Sequence, residues 1–283
     1  VRWWTGRSLR TRIFVAFSVL IVAVLLATLG LTQLIVGRDA GRTLSRELRT
    51  TGQVFESLLR ERATRLQTNS TLLASDFALK RVFATHFDPA SYDSETLASA
   101  GLSYRQRIGV QLVWMTDETG KVLAASPGEE RVGQPLADFA PLKQALANQA
   151  AATAVVEVDN ELFQMVAVPV LGPDVIGFLM LGQAIDDRVA SRLKEDTHSD
   201  VTFLTDSTVF ASSWPTNDRA HPYSTTTLTA SLAGIRQHNP RLLTIGGERY
   251  LSLAIPVDAH LEQPLYVLIQ GSYDRALVPL HTL

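Results

Sequence analysis

Tyr104, Arg107, Trp114 and Gln164 bring a cation, two aromatic rings and an amide into one short region of this 283-residue chain. Arg107 ends a predicted helix and Trp114 lies on the adjoining predicted strand. The pair would offer a guanidinium and an indole wall to an anionic metabolite. Gln164, on a long central strand, would add an amide contact, and Tyr104 sits one helical turn before Arg107. Each residue also has a plainer use, because a helix-end arginine complements the helix dipole and a tryptophan fills a core. Asp187-Arg188 and Asp274-Arg275 occur where a strand passes into a helix, so the aspartates are expected to cap first-turn amides. Asp117-Glu118 at a hairpin tip reads as a polar turn rather than a metal site. The histidines His86, His198, His221, His238, His260 and His281 are scattered through predicted loops and helix ends and read as solvated residues. The sequence has no His-Glu-x-x-His helix, no Gly-x-Ser-x-Gly elbow and no phosphate-binding glycine loop. Neither catalysis nor a metal or cofactor is expected.

The elements that position these residues repeat along the chain. Val122-Leu123-Ala124-Ala125-Ser126 recurs as Val209-Phe210-Ala211-Ser212-Ser213, an offset of 87 residues. The segment from Glu161 to Val170 recurs from Glu248 to Val257 at the same offset, which also carries Gln183 onto Gln270 and Asp187-Arg188 onto Asp274-Arg275. Thr116-Asp117 matches Thr205-Asp206 at 89, which implies a turn two residues shorter in the second copy. Such indels fall in hairpin tips, so two similar modules in tandem are expected.

Residues 13–36 are a run of 24 without a charge. At about 1.5 Å per residue they give roughly 36 Å of helix, enough to cross the hydrocarbon of a bilayer with some tilt. Residues 1–12 carry Arg2, Arg7, Arg10 and Arg12 with no acid, and Trp3 and Trp4 suit a membrane interface. The positive-inside rule then places 1–12 in the cytoplasm and the remainder outside. The run exceeds the roughly 7–15-residue apolar core of a cleaved signal peptide, so an uncleaved anchor is expected. The chain contains no cysteine, which removes disulfides and thiolate metal sites. Its net charge of -2 hides a basic cluster before the apolar run, and no basic stripe follows it. Nucleic acid is therefore not an expected partner.

Residues 37–85 contain no proline, and Leu44, Leu48, Gly52, Phe55, Leu59, Ala63, Leu66, Ser70, Leu73 and Phe77 recur at steps of three and four. That spacing makes one stripe of a long amphipathic helix. The stripe suits a homodimer seam or a spine for the chain's own modules, and both roles can hold on different parts of one helix. Beyond a polar linker and a helix from Ser94, strands are expected at 110–116 and 121–126. A helix at 139–148, strands at 155–158, 161–170 and 176–182, and a helix at 186–197 follow. The order repeats from Val201, with a tight turn at Gly246-Gly247 and a last strand at 265–270. Five antiparallel strands with a helical link between the second and third make a PAS-like sheet, so the expected class is α+β. The predicted division is a cytoplasmic 1–12, a transmembrane helix 13–36, a long helix 37–85, a membrane-distal module 86–190 and a membrane-proximal module 191–275. Residues 276–283 would begin an exit helix toward a second span beyond this sequence.

The phrases Val54-Phe55-Glu56-Ser57-Leu58-Leu59-Arg60-Glu61-Arg62, Leu73-Ala74-Ser75-Asp76-Phe77-Ala78-Leu79-Lys80, and Arg107-Ile108-Gly109-Val110 leading to Thr116-Asp117-Glu118-Thr119-Gly120-Lys121-Val122-Leu123-Ala124 resemble the double Cache sensor domains of bacterial transmembrane receptors. The chain is most similar to those that precede diguanylate cyclase, phosphodiesterase or adenylate cyclase outputs. The resemblance implies a periplasmic input domain on the inner membrane, which binds an unknown small molecule in the distal module and passes a small movement down the long helix; the stripe on that helix makes a second copy of the chain, in a homodimer, the expected partner. Amino-acid-binding members carry a tyrosine, arginine and tryptophan-tyrosine signature. Tyr104, Arg107 and Trp114 do not follow its spacing, so no family binding residue is carried across. A membrane-anchored protein-interaction module without a small ligand is the alternative; it would show an exposed apolar patch rather than a polar pocket.

Overall fold

A computed structural model of the chain describes residues 9–84, 94–214, 239–245 and 247–277; at 9–16, 29–42, 82, 84 and 94–98 the description covers the backbone alone. The first helix, α1 (Leu9–Ala74), is 66 residues long, about 100 Å at 1.5 Å per residue. Among the described residues no helix is long and apolar enough to cross a membrane. The run 13–36 lies only partly among them, because the side chains of 13–16 and 29–36 fall outside, as do residues 1–8. Its backbone is helical throughout.

The long helix does not continue to residue 85 as expected. It stops at Ala74, and α2 (Phe77–Ala84) starts anew after Ser75-Asp76. The carboxylate of Asp76 accepts the Ala78 amide at 2.8 Å, so a short acceptor side chain competes with the helix backbone and begins a second helix. Phe83 is buried by this break, whereas Phe77 faces solvent. The expected linker 86–92 lies outside the described residues.

Helix α3 (Ser94–Ile108) leads into β1 (Leu112–Thr116) and β2 (Val122–Ser126), followed by a 3-10 turn (Glu129–Arg131) and α4 (Ala140–Asn148). Then come β3 (Ala152–Val158), β4 (Glu161–Leu171), β5 (Val175–Ala184) and α5 (Asp187–Thr197). The second module contains β6 (Asp200–Leu204), β7 (Val209–Ser212), β8 (Arg241–Ile245), β9 (Glu248–Val257), β10 (Ala259–His260), β11 (Leu265–Ser272) and α6 (Tyr273–Leu277). Residues 215–238 of the link between β7 and β8 and the residue Gly246 lie outside the described residues.

The first sheet runs β10-β3-β4-β5-β1-β2 and the second β7-β6-β11-β9-β8. With β10 set aside, both have the same order read from opposite ends, as the repeat requires. The repeat register needs one correction. β2, β3 and β4 map onto β7, β8 and β9 at 87, but the pairings place β1 on β6 and β5 on β11 at 88. Burial confirms it, since Val113 and Met115 share the face toward α1 and α2 with Val166 and Val168, as Val201 and Phe203 share the α1 face with Leu253 and Ile255. Asp117 therefore corresponds to Thr205. Asp117 Oδ1 accepts from the Thr119 and Lys121 amides, and Thr205 Oγ1 accepts from the Ser207 and Thr208 amides. The turn is one residue shorter in the second copy, not two. Gln183 and Gln270 then lie on opposite faces: Gln183 accepts from Arg62 of α1, while Gln270 donates to Ser252 on the far side. A single-residue slip reverses the face of every side chain on a strand, and it passes unseen where apolar residues occupy both faces.

Helix α1 enters both cores. Leu44, Leu48 and Phe55 pack with Phe203, Leu253, Ile255 and Val267, and Phe55 meets Phe203 at a ring separation of 5.8 Å. Leu66 and Ala74 pack with Met115, Val166 and Leu181 of the first sheet. The stripe predicted from spacing is thus the spine on which both modules hang. Backbone approach is close at Gly52, where a Cβ would stand 2.6 Å from Ile255 Cδ1.

Candidate functional site

The first sheet has two filled faces. On one, α1, α2 and α3 cover Val113, Met115, Val166 and Leu179. On the other, α4 and the loop before it cover Leu112, Trp114, Met165 and Met180. The strand alternation of β1 sends Trp114 to the α4 side and Met115 to the α1 side.

This alternation divides the four residues singled out by type. Trp114 is buried under α4. Tyr104 is buried on the opposite side, with the exposed Arg107 guanidinium 5.8 Å from its ring. Burial, with a contribution from Asp76, raises the Tyr104 phenol above its usual value. Gln164 is buried against α1, and its amide donates to the Leu59 carbonyl at 3.2 Å. That bond adds a second donor to a carbonyl in the middle of α1 and ties the helix to β4. Tyr104 and Gln164 therefore share one side of the sheet, Trp114 lies on the other, and Arg107 stands beside Tyr104 at the surface.

The cation that does meet Trp114 is Arg131, from the 3-10 turn, which carried no motif. Its guanidinium lies 5.2 Å over the indole ring, and Nη2 forms an ion pair with Asp159 at 2.7 Å. Asp159 and Asn160 form the tip of the β3–β4 hairpin with left-handed backbones, a conformation for which Asp and Asn are suited. Trp114 is fixed further by Phe139, at a ring separation of 5.7 Å, and by donation from Nε1 to the Pro127 carbonyl at 3.0 Å. Gly128 makes the approach possible, since a Cβ there would stand 3.3 Å from Arg131 Cδ at a positive φ. The Arg131 Nε has no hydrogen-bond acceptor among the described residues. The result is a cation, two aromatic rings and two exposed carboxylates, Asp159 and Glu130, the latter 3.7 Å from Arg131 Nε, at one edge of the α4 face. Chemically it suits an anion that replaces Asp159 and lies against Trp114.

The paired aspartates do not act as expected. Asp186, not Asp187, caps α5 by accepting the Val189 amide at 3.1 Å. Asp187 reaches the Ser212 amide of β7 at 2.9 Å and ties α5 to the second sheet. Asp274 accepts the Arg249 amide and side chain of β9, and Ser272 takes the cap role by accepting the Arg275 amide. The hydrogen bonds from Arg249 hold the Asp274 carboxyl below its usual value. Each aspartate finds a neighbouring strand closer than its own first turn, a choice set by tertiary approach and invisible in spacing. Of the histidines, His198 ends α5 in a left-handed conformation and His260 lies in β10; His86, His221, His238 and His281 are outside the described residues.

Two sheets of identical strand order, carried in tandem on one helix and each backed by a separate core, define a double sensory module. The chain belongs to the double Cache family dCache_3, described as the double sensory domain of two-component sensor kinases, which it matches over residues 41–268. Among solved structures, the sensor domain of the V. cholerae histidine kinase DctB has the same fold at a TM-score of 0.54 and 15% identity, covering 82% of this chain and 98% of that one. The ligand-binding domain of the Campylobacter jejuni chemoreceptor Tlp3, in complex with 4-methylisoleucine, aligns at 0.52 and 13% identity, covering 85% and 94%. A domain assigned to the sensory box/GGDEF family from Vibrio parahaemolyticus aligns at 0.50 and 13%, covering 85% and 99%. No curated protein matches the chain.

Proposed function

We propose that this chain is the extracytoplasmic, small-molecule-sensing input of a membrane receptor, and that its first module takes the ligand at the Arg131–Trp114 edge beneath α4. The observation that carries this reading is the sharing of α1 between two cores, Phe55 in one and Leu66 in the other. A ligand that favours one packing of the first module thereby biases the helix that leads back past the second. Only the difference in its affinity for the two packings can do work on the output. Membrane anchoring by residues 13–36 is supported by Phe17, Val19, Leu20, Ile21, Val22 and Leu26, all more than half exposed and together distributed around the whole helix. A helix apolar on every side belongs in lipid or in a core. With α1 anchored there, the second module is proximal to the membrane and the first distal.

The pairing partner is a second copy of the chain, meeting through α1, where Val54 and Leu72 are exposed on faces that neither sheet covers. The output of this reading is a cytoplasmic cyclic-di-GMP or other cyclic-nucleotide enzyme, a choice that rests on the sequence resemblance alone, since the solved neighbours share the fold with several kinds of receptor. The reading is tested by a thermal-shift screen of the full chain in nanodiscs against carboxylates, amino acids, amines, purines and simple ions. Saturable stabilisation by one class, lost in Arg131→Gln with circular dichroism unchanged, is the expected result. Stabilisation by no class would transfer the reading to a protein-interaction module.

A further inference from the structure

At the junction of the two modules, α1, the end of α3, the end of β5 and α5 enclose a cleft of about 520 Å3. It lies on the α1 side of the first sheet, away from the Trp114 face. Leu58, Leu66, Ile108 and Leu193 give it an apolar wall, and four arginines line it, Arg62 and Arg65 from α1 and Arg188 and Arg192 from α5. The carboxylates of the lining are Glu61 and Asp196. Glu61 is already committed, at 2.7 Å, to Arg65.

Arg62 is half-buried and donates to neutral acceptors, Gln183 Oε1 at 3.2 Å and the Ala184 carbonyl at 2.8 Å. Burial holds its guanidinium below the usual value, Asp186 opposes that effect and Arg192 adds to it. Arg188 and Arg192 stand one helical turn apart on α5, a spacing at which like charges repel. Among the described residues neither makes a hydrogen bond or an ion pair. Arg188 and Arg192 are exposed and bring positive charge to the rim of an apolar concavity, where an anion with an apolar body would meet both.

We propose that this cleft binds a small organic carboxylate with an apolar body. The carboxylate bridges Arg188 and Arg192 of α5 to Arg62 of α1, while the body lies on Leu58, Leu66 and Leu193. Such bridging is the geometry for which guanidinium forks are suited. Because α5 carries the chain from β5 of the first sheet to β6 of the second, the bound anion clamps that connection to the shared helix and fixes the modules relative to each other. The site is distinct from the one proposed at Arg131 and does not depend on it.

The test uses the full chain in nanodiscs of zwitterionic lipid, with benzoate and 1-naphthoate as probes, benzamide and 1-naphthamide as neutral isosteres, and inorganic phosphate as a compact anion. Calorimetry is expected to show the carboxylates binding at least about tenfold tighter than their amides. The double variant Arg188→Gln/Arg192→Gln is expected to weaken them by about tenfold or more. Without any probe the same variant should melt at or above the temperature of the native chain, because the repulsion on α5 is relieved. A lower melting temperature would mean that the arginines hold the fold, and would overturn the site. So would carboxylates that bind no better than amides, or no carboxylate binding up to roughly 10 mM. Phosphate binding tighter than either carboxylate would overturn the apolar-body assignment. Affinity that follows Arg131→Gln and ignores Arg188 and Arg192 would remove this cleft while leaving the sensory reading of the first module standing.

Discussion

Tyr250 of β9 is buried edge-on against Trp214, and its hydroxyl donates to Glu248 at 2.8 Å. Burial first, then that hydrogen bond, push the phenol up to about 12. The unfolded chain titrates near pH 10, so the unfolded state loses its proton first as pH rises. The stability tied to Tyr250 is therefore complete below about pH 10 and is lost as pH climbs toward about 12. Denaturant midpoints measured from pH 9 to 12 should fall more steeply for the native chain than for Tyr250→Phe. The phenylalanine variant should start about 1 kcal/mol lower at pH 7 from loss of the hydrogen bond. Gly177 is a second residue with a local signature, at φ 153°, where a Cβ would clash with the Thr116 carbonyl and stand 2.8 Å from the buried Phe83 ring. Gly177→Ala is expected to destabilise the fold by about 3 kcal/mol, read from chemical denaturation. At this scale the sequence placed Trp114 and Gln164 on strands and started a helix at residue 186. It did not show that Arg131 would supply the cation, because that pairing joins a short 3-10 turn to a strand and leaves no periodic trace.

Helix α1 shows what pattern can and cannot settle for an element. The three-and-four spacing identified the buried stripe, and Leu44, Leu48, Phe55, Leu66 and Ser70 are all buried as that stripe requires. The same spacing ran past Ser75-Asp76, where one carboxylate redirects the chain, so the single helix divides into α1 and α2. The repeat behaved alike: β2, β3 and β4 kept a common offset, while the central strands β1 and β5 slipped by one residue in apolar runs that tolerate either face. The division of the stripe between two cores predicts separable effects. Phe55→Ala removes a ring from the second core and should cost about 3–5 kcal/mol, whereas Leu66→Ala should cost about 2–5 kcal/mol in the first. Hydrogen exchange should show the loss of protection concentrated in β9 and β11 for Phe55→Ala and in β4 and β5 for Leu66→Ala. Uniform loss across both sheets in each variant would mean that the modules unfold as one unit. Asp186→Ala should cost about 1 kcal/mol and fray the first turn of α5 alone.

For the molecule as a whole, the question is what makes two modules respond together. One link is α1. Beside the chain connection through α5, a further link is β10, two residues in the turn between β9 and β11 that pair in parallel with β3, Ala259 opposite Val155 and His260 opposite Val156. The second module thereby supplies the edge strand of the first sheet, and Gln144 of α4 stands 3.4 Å from the His260 ring. An edge left open would present unpaired amides to solvent or to another chain, so the pairing also covers a surface prone to association. No analogue exists in the shorter β4–β5 turn, where Gly172-Pro173-Asp174 leads directly from Leu171 to Val175. The repeat in sequence could not show it, because β10 lies in the stretch where the two copies differ. Replacing both residues with proline removes their donors from the ladder. In Ala259→Pro/His260→Pro, the amides of residues 153–157 that face the sheet edge should exchange faster, while β1 and β2 at the opposite edge keep their protection. If the β10 link carries the coupling, a ligand bound to the first module should then no longer slow exchange in β9 and β11, although its affinity for the first module persists. Retained protection of the second sheet in this variant would assign the coupling to α1 alone, through the helix that Phe55 and Leu66 already tie to both cores.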